Sequence, residues 1–395
     1  MKNARPLLLA ASTVALLISA CSQAPANLEG PTLALQFGTA DSDYASSVDL
    51  GSNGMVYVGA NRNYYRGSED DLNVTGTELD IRQYDSAGNQ SWKKTLRTAV
   101  CSADRENCAS DRSGIVDVHT DSQGNVYALT SFSYYNFDDY PGESNALYKL
   151  DKTGVLLWSN DVSIGNAPSD AVSLWVDTAG NAYVARTDNS DAGGGAYGNH
   201  LTKYTSGGRV AWEVKPGLGT LRDVVVSSSG SIYVVGSAGL ARYTNSGGLT
   251  WTKSGGGDDI TISGSSLYVC KGTTIRRHDS TGKQLWAKTQ SGLPGLAIAD
   301  ITGDGSGNVY LAGKYSATST NRDAFTRKLS SSGTVVWTKP FGTAAYDEAL
   351  GIATLTGSEI YTTGSTNGAL SHANMGGSDA YLRKTNSNGD RVWTR

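Results

Sequence analysis

Seven times this chain places a tryptophan four residues after a glycine: Gly88/Trp92, Gly154/Trp158, Gly208/Trp212, Gly247/Trp251, Gly282/Trp286, Gly333/Trp337 and Gly389/Trp393. Of eight tryptophans only Trp175 falls outside that register. Upstream of each pair lies a strand-like segment with a tyrosine: Tyr57, Tyr127, Tyr183, Tyr233, Tyr268, Tyr310 and Tyr361. The segments are near-copies of one another, from GMVYVG and GNVYAL to GNVYLA and SEIYTT. A repeat constrains a fold more than any single motif, because each unit buries its apolar face against a neighbouring copy. A large side chain recurring once per unit is expected in the core or between units.

Each unit divides into four extended segments. In the sixth they are Leu296-Ala-Ile-Ala-Asp-Ile, Asn308-Val-Tyr-Leu-Ala-Gly, Ala324-Phe-Thr-Arg-Lys-Leu and Thr334-Val-Val-Trp-Thr-Lys. Asp-Gly-Ser-Gly and Ser-Ser-Ser-Gly turns punctuate them. The 48 glycines suit many tight turns, and no long helical period is present. Seven such units predict an all-β fold, a seven-bladed β-propeller with four antiparallel strands per blade. A solenoid would need atypical capping units. Here Leu33-Ala-Leu-Gln-Phe-Gly-Thr39 matches Trp337-Thr-Lys-Pro-Phe-Gly-Thr343 instead, and Asp43-Tyr-Ala45 matches Asp347-Glu-Ala349. Both ends therefore offer a fourth-strand segment, and either is able to close the ring. The propeller is assigned to 33–395, with repeats near 39–96, 97–162, 163–216, 217–255, 256–292, 293–342 and 343–395.

Asp323-Ala-Phe325, Lys328, Gly333, Trp337, Phe341-Gly342, Asp379-Ala-Tyr381, Lys384, Gly389 and Trp393 resemble the seven-bladed β-propeller (SBBP-type) repeats of secreted and surface bacterial proteins. The likeness weakens in repeats four and five. There LYVCKGTTIRRHDSTGKQLW is similar to pyrroloquinoline-quinone-type propeller repeats, which also occur in non-catalytic outer-membrane lipoprotein scaffolds. Both resemblances imply a propeller and neither implies a specific activity.

Lys2 and Arg5 precede an apolar stretch from Pro6 to Ser19, too short for a comfortable membrane span. Leu17-Ile18-Ser19-Ala20-Cys21 resembles a bacterial lipobox. That resemblance implies a lipoprotein signal peptide at 1–20, lipidation of Cys21 as membrane anchor, and a tether at 21–32. An ordinary signal peptide cut after Ala20 is the alternative. The expected place is the bacterial cell envelope, extracytoplasmic, at the outer membrane or cell surface. The formal charge of −4 becomes more negative by two when Lys2 and Arg5 are removed. Nucleic-acid binding, which needs concentrated Lys and Arg, is disfavoured.

Cys101 and Cys108, with six residues between them in a polar loop joining units one and two, are expected to form a disulfide in an exported protein. A metal site there lacks histidine partners. Cys270, in an apolar strand, reads as a buried free thiol.

The loops between second and third strands are long in units one, two, three and seven: 61–77, 131–144, 187–199 and 365–378. In a propeller these lie on the face that carries the blade-to-blade crossings, so clustered insertions mark a candidate binding face. Its residues are Tyr64, Tyr65, Tyr134, Tyr135, Phe137, Asp138, Asp139 and Tyr140. Aromatic and acidic groups of this kind suit a protein, peptide or polysaccharide partner; packing on their own blades is the other reading. Five residues before each repeat glycine stand Gln83, Lys149, Lys203, Arg242, Arg277, Lys328 and Lys384. A row of cations suits an anionic ligand, but stems covering the inter-blade surface are the preferred reading. Asp300-Ile-Thr-Gly-Asp-Gly-Ser-Gly-Asn308 reads as a turn rather than a calcium loop, since it lacks the bidentate glutamate. His119, His200, His278 and His372 share no motif. No catalytic residue, metal or cofactor is assigned. The expectation is a binding or scaffolding propeller. A propeller hydrolase or lyase acting on extracellular polymer, and a purely structural component, are the alternatives. Converging carboxylates with shifted acidity in a central cleft would favour the enzyme.

Overall fold

The computed structural model describes residues 36–395 apart from 69–70, 101–107, 110–113, 136–140, 164–168, 189–197 and 319; in 63–68, 71–76, 98–100, 108–109, 132–135, 141–144, 169–170 and 188 it describes backbone only. Seven antiparallel sheets follow one another along the chain, each with its strands in sequence order. The chain is an all-β, seven-bladed β-propeller. Blade one comprises Asp43–Leu50, Val56–Ser68, Asp71–Tyr84 and Gln90–Val100. Blade two carries one extra strand, Cys108–Ala109, against its second strand. The seven inner strands are Asp43–Leu50, Gly114–Thr120, Ser169–Val176, Leu221–Val226, Asp259–Ser263, Ala297–Gly303 and Asp347–Ala353.

The glycine–tryptophan repeat is a blade-to-blade latch. Each tryptophan packs on the tyrosine of its own blade, with ring centroids 5.9–6.2 Å apart. Its indole N–H donates to a turn carbonyl of the next blade: Trp92 to Lys152, Trp158 to Ser206, Trp212 to Asn245, Trp251 to Ser280, Trp286 to Ser331, Trp337 to Ser387 and Trp393 to Ser86, at 3.0–3.3 Å. The glycine closing that same turn lies flat on the indole. At Gly154 φ is +85° and a Cβ would stand 3.0 Å from the Trp92 ring, so glycine alone fits. The tyrosines, not the tryptophans, form the deep core: six of the seven are fully buried and Tyr233 is 4 % exposed. The seven tryptophans are half-buried, because the outer strand has solvent on one side.

The basic row follows the same geometry. Lys149 Nζ donates to the Ser206 carbonyl (3.1 Å) and Lys384 Nζ to that of Ser86 (2.8 Å). Arg277 reaches Ser331 (2.9 Å), and Gln83 reaches Lys152 (3.2 Å). Lys149, Lys203 and Lys328 sit over the tyrosine rings of their own blades at 4.8–5.1 Å. Gln83, Lys149, Lys203, Arg277 and Lys384 thus tie neighbouring blades together, while Lys328 lies over the tyrosine of its own blade.

Both chain ends build the outer strand of blade seven. Arg391–Thr394 pairs with the third strand, Asp379–Asn386, and Arg395 exchanges both backbone hydrogen bonds with Leu382. Two residues along the same strand, Phe37 exchanges both with Ala380 (3.1 Å each). In blade six Phe341 holds that position opposite Ala324. The Arg82 guanidinium covers Phe37 at 4.1 Å as Arg383 covers Phe341 at 4.3 Å. One buried cluster joins Phe37, Val48, Val56 and Val58 to Tyr361, Ala380 and Leu382, closing the ring.

Candidate functional site

The inner strands surround a central channel of about 610 Å³. Six of them carry a β-bulge near the start, and one position per blade there faces the next. In blade order this position holds Ser47, Asp117, Ser173, Asp223, Asp259, Asp300 and Gly351. The side chains accept the following blade's backbone N–H: Ser47 from Val118 (3.1 Å), Asp117 from Leu174 (3.2 Å), Ser173 from Val224 (3.3 Å), Asp223 from Ile260 (2.9 Å), Asp259 from Ile301 (2.9 Å) and Asp300 from Ile352 (2.7 Å). Ser47 and Ser173 also donate to Asp117 (2.9 Å) and Asp223 (2.5 Å). Each of these inner-strand amides is satisfied by the preceding blade.

Four of these positions thus bring carboxylates to one channel, and burial raises the pKa of three of them. Asp117 is pushed up by burial, opposed by His119 and reinforced by Asp223. Asp259 is pushed well up by burial and by its neighbours Asp223 and Asp300. Asp300 is pushed up to about 7 by burial, against the hydrogen bond from Ile352. Beside them His119 stands 3.7 Å from Asp117 and packs on Trp175, centroids 4.9 Å apart. The out-of-register tryptophan is therefore a channel-wall residue. Asp300 lies in the inner strand and not in the turn read from sequence; Asp304 caps that turn through the N–H groups of Ser306 and Asn308.

At the end of the ring where the second and third strands meet, blades one and two project hairpins. Segments 61–77 and 131–144, read as loops, are mostly strand: Val56–Ser68 pairs with Asp71–Tyr84, and Val126–Tyr135 with Pro141–Leu150. Their aromatic and β-branched content favours extended pairing over irregular loop. Tyr64 stands opposite Gly76 and Tyr65 opposite Thr75; Tyr134 stands opposite Gly142 and Tyr135 opposite Pro141. Cys108 pairs through its backbone with Tyr135, which sets the crossing segment along the second arm. The side chains of these tyrosines, together with Phe137, Asp138, Asp139, Tyr140, Cys101 and Cys21, lie outside the described residues, as does the side chain of Cys108.

Of the remaining candidates, Cys270 is a buried free thiol, its acidity suppressed by burial. His278 is buried and its basicity lowered by burial. His200 pairs with Glu213 at 2.7 Å. Among the described residues no group of three or more His, Cys, Asp or Glu side chains is placed to hold a metal ion, and no helix is long and apolar enough to cross a membrane.

No family model matches the chain, and no curated protein does. Similar solved structures include the β-propeller domain of the Trilobed protease from Pyrococcus furiosus (8 % identity, 88 % of this chain and 98 % of that one, TM-score 0.48). The Pan2 WD40 domain of Neurospora crassa is another (10 % identity, 81 % and 85 %, TM-score 0.48), as is apo AztD from Citrobacter koseri (11 % identity, 80 % and 91 %, TM-score 0.44). The likeness is one of fold. A closed propeller is consistent with a binding or scaffolding role.

Proposed function

We propose that this chain is a cell-envelope lipoprotein, anchored through Cys21, that uses its propeller as a rigid platform for a protein or polysaccharide partner. The carrying observation is the pair of projecting hairpins on blades one and two, at the end of the ring where insertions cluster. Blades four and five, by contrast, have short connections there, Gly236 to Gly239 and Lys271 to Thr274. Rigid arms on a closed scaffold lower the entropic cost of binding. The SBBP-type likeness and the Cys101–Cys108 disulfide belong to the same reading, the disulfide stiffening the crossing beside the second arm.

The test is a capture of partners from detergent-solubilised envelopes by intact protein, compared with a variant whose two arms are shortened to blade-four length. A partner bound by the intact protein and lost from the variant supports the reading; equal capture contradicts it. Cys21→Ala is expected to leave the protein unprocessed or free of the membrane. A mutant that is processed and fractionates as the parent does removes the anchor from the account.

A second reading rests on the channel carboxylates. Asp300, pushed up to about 7, has the acidity of a general acid, and Asp259 beside it is pushed up in the same direction. Every one of these groups already serves a neighbouring amide, so their structural role accounts for their placement. Polymer hydrolysis abolished by Asp300→Asn would favour the enzyme.

A further inference from the structure

Three buried carboxylate oxygens have no hydrogen-bond partner: Oδ1 of Asp43, Asp347 and Asp379. These residues are 3 %, 0 % and 0 % exposed. Charge at that depth is costly unless compensated. Asp43 and Asp347 lie at repeat-related places, the starts of two first strands. Asp43 takes the N–H and hydroxyl of Thr39 on Oδ2 (2.5 and 2.9 Å). Asp347 takes the same groups of Thr343 on Oδ2 (2.6 and 2.9 Å). Facing each is an aspartate from the start of a third strand, Asp379 at the ring closure and Asp323 between blades six and seven.

The glycine of each Phe-Gly-Thr packs closely against these carboxylates. A methyl group on Gly38 would collide with the orphaned Oδ1 of Asp379. One on Gly342 would stand 2.9 Å from both Asp323 Oδ1 and Asp347 Oδ2. Asp379 holds Gln36 Nε2 (2.7 Å) and the Met375 N–H (2.9 Å) on its other oxygen. The nearest compensating cation is Arg62, whose Nε is 3.9 Å from Asp43 Oδ1. No Lys or Arg forms an ion pair with Asp323, Asp347 or Asp379 among the described residues. Asp323 accepts from the Asn321 side-chain amide on Oδ1 (2.9 Å) and from the Tyr315 hydroxyl on Oδ2 (3.3 Å).

We propose that each cradle binds one calcium ion, with Asp43 and Asp379 as ligands at the ring closure and Asp347 and Asp323 at the junction of blades six and seven. The donors are oxygens only, which selects a hard cation. Calcium tolerates irregular sets of six to eight oxygens, whereas magnesium demands near-octahedral geometry and keeps its waters. Backbone carbonyls, the threonine hydroxyls and water complete each shell. At the closure the ion clamps the Gly38–Thr39 segment to blade seven.

The test uses the full chain, stripped with a chelator and titrated with calcium chloride alone by calorimetry and thermal melting. Uptake of two ions per chain is expected, with a melting temperature several degrees higher in excess calcium, since an ion bound only by the folded state stabilises it. Asp379→Asn and Asp347→Asn are each expected to remove one ion. Absence of calcium uptake by the unaltered protein overturns the proposal, whatever the variants do. A melting temperature of the unaltered protein that is indifferent to excess calcium also overturns it.

Discussion

The indole N–H of Trp393 donates to the backbone carbonyl of Ser86, 3.2 Å away and 307 residues earlier in the chain. It is the seventh copy of one contact, and it joins the last blade to the first. Gly88, two residues beyond that carbonyl, would place a Cβ 3.1 Å from the same indole. The repeated tryptophan and the repeated glycine are thus two halves of one inter-blade joint, each glycine serving the tryptophan of the preceding blade.

Gly154→Ala tests the joint. The left-handed backbone (φ +85°) costs alanine about 1 kcal/mol, and collision with Trp92 adds to it. Gly272 also has positive φ (+56°) but no heavy atom within 4 Å of its virtual Cβ. Urea unfolding is expected to show a clearly larger loss for Gly154→Ala than for Gly272→Ala. Equal losses would show that the indole contact contributes nothing.

Tyr310→Ala is expected to destabilise more than Trp337→Ala. Tyr310 is fully buried, and truncation of a buried aromatic costs roughly 3–5 kcal/mol. Trp337 is half-buried and is expected to cost about half as much. Chemical denaturation of both variants decides the order, and the reverse order would place the core at the outer strand.

The strands, the blade number and the turns were legible because they depend on local chemistry that repeats: a tyrosine per second strand, an Asp-x-x-Gly or Ser-x-x-Gly turn, a glycine before each tryptophan. Relations between blades were not. Nothing local distinguishes Asp117, Asp223 and Asp300 from surface strand carboxylates; their role appears only when the next blade's amide is in place. Trp175 carried a signal, being the one tryptophan out of register, but its partner His119 comes from another blade. The arms were misread because Asn63-Tyr-Tyr-Arg66 is polar enough for a loop, while long cross-strand pairing keeps it extended. The closure strand offered two matching segments, and the ring uses both.

The channel carboxylates set a pH dependence. An acid whose folded-state pKa is raised binds more protons folded than unfolded, so its stabilising effect is full below about pH 4 and is lost as pH rises through the folded value. For Asp300 that window extends to about 7, and Asp117 and Asp259 shift in the same direction. The melting temperature is expected to fall between about pH 4 and pH 7. Asp300→Asn keeps an oxygen for the Ile352 N–H without the charge. It is expected to raise stability at pH 8 and flatten the profile. A profile unchanged by the substitution would mean that Asp300 does not titrate in that range.

Ring closure by a shared outer strand is tested most directly by a cross-link between its two contributors. Phe37 and Ala380 are directly opposed in an antiparallel pair, where Cα atoms stand about 5.5 Å apart, within disulfide reach. Phe37→Cys with Ala380→Cys, oxidised under dilute conditions and digested, is expected to yield a peptide around residue 37 bonded to one around residue 380 within a single chain. Absence of that linked peptide while both thiols remain reactive, or links only between separate chains, would contradict the closed ring.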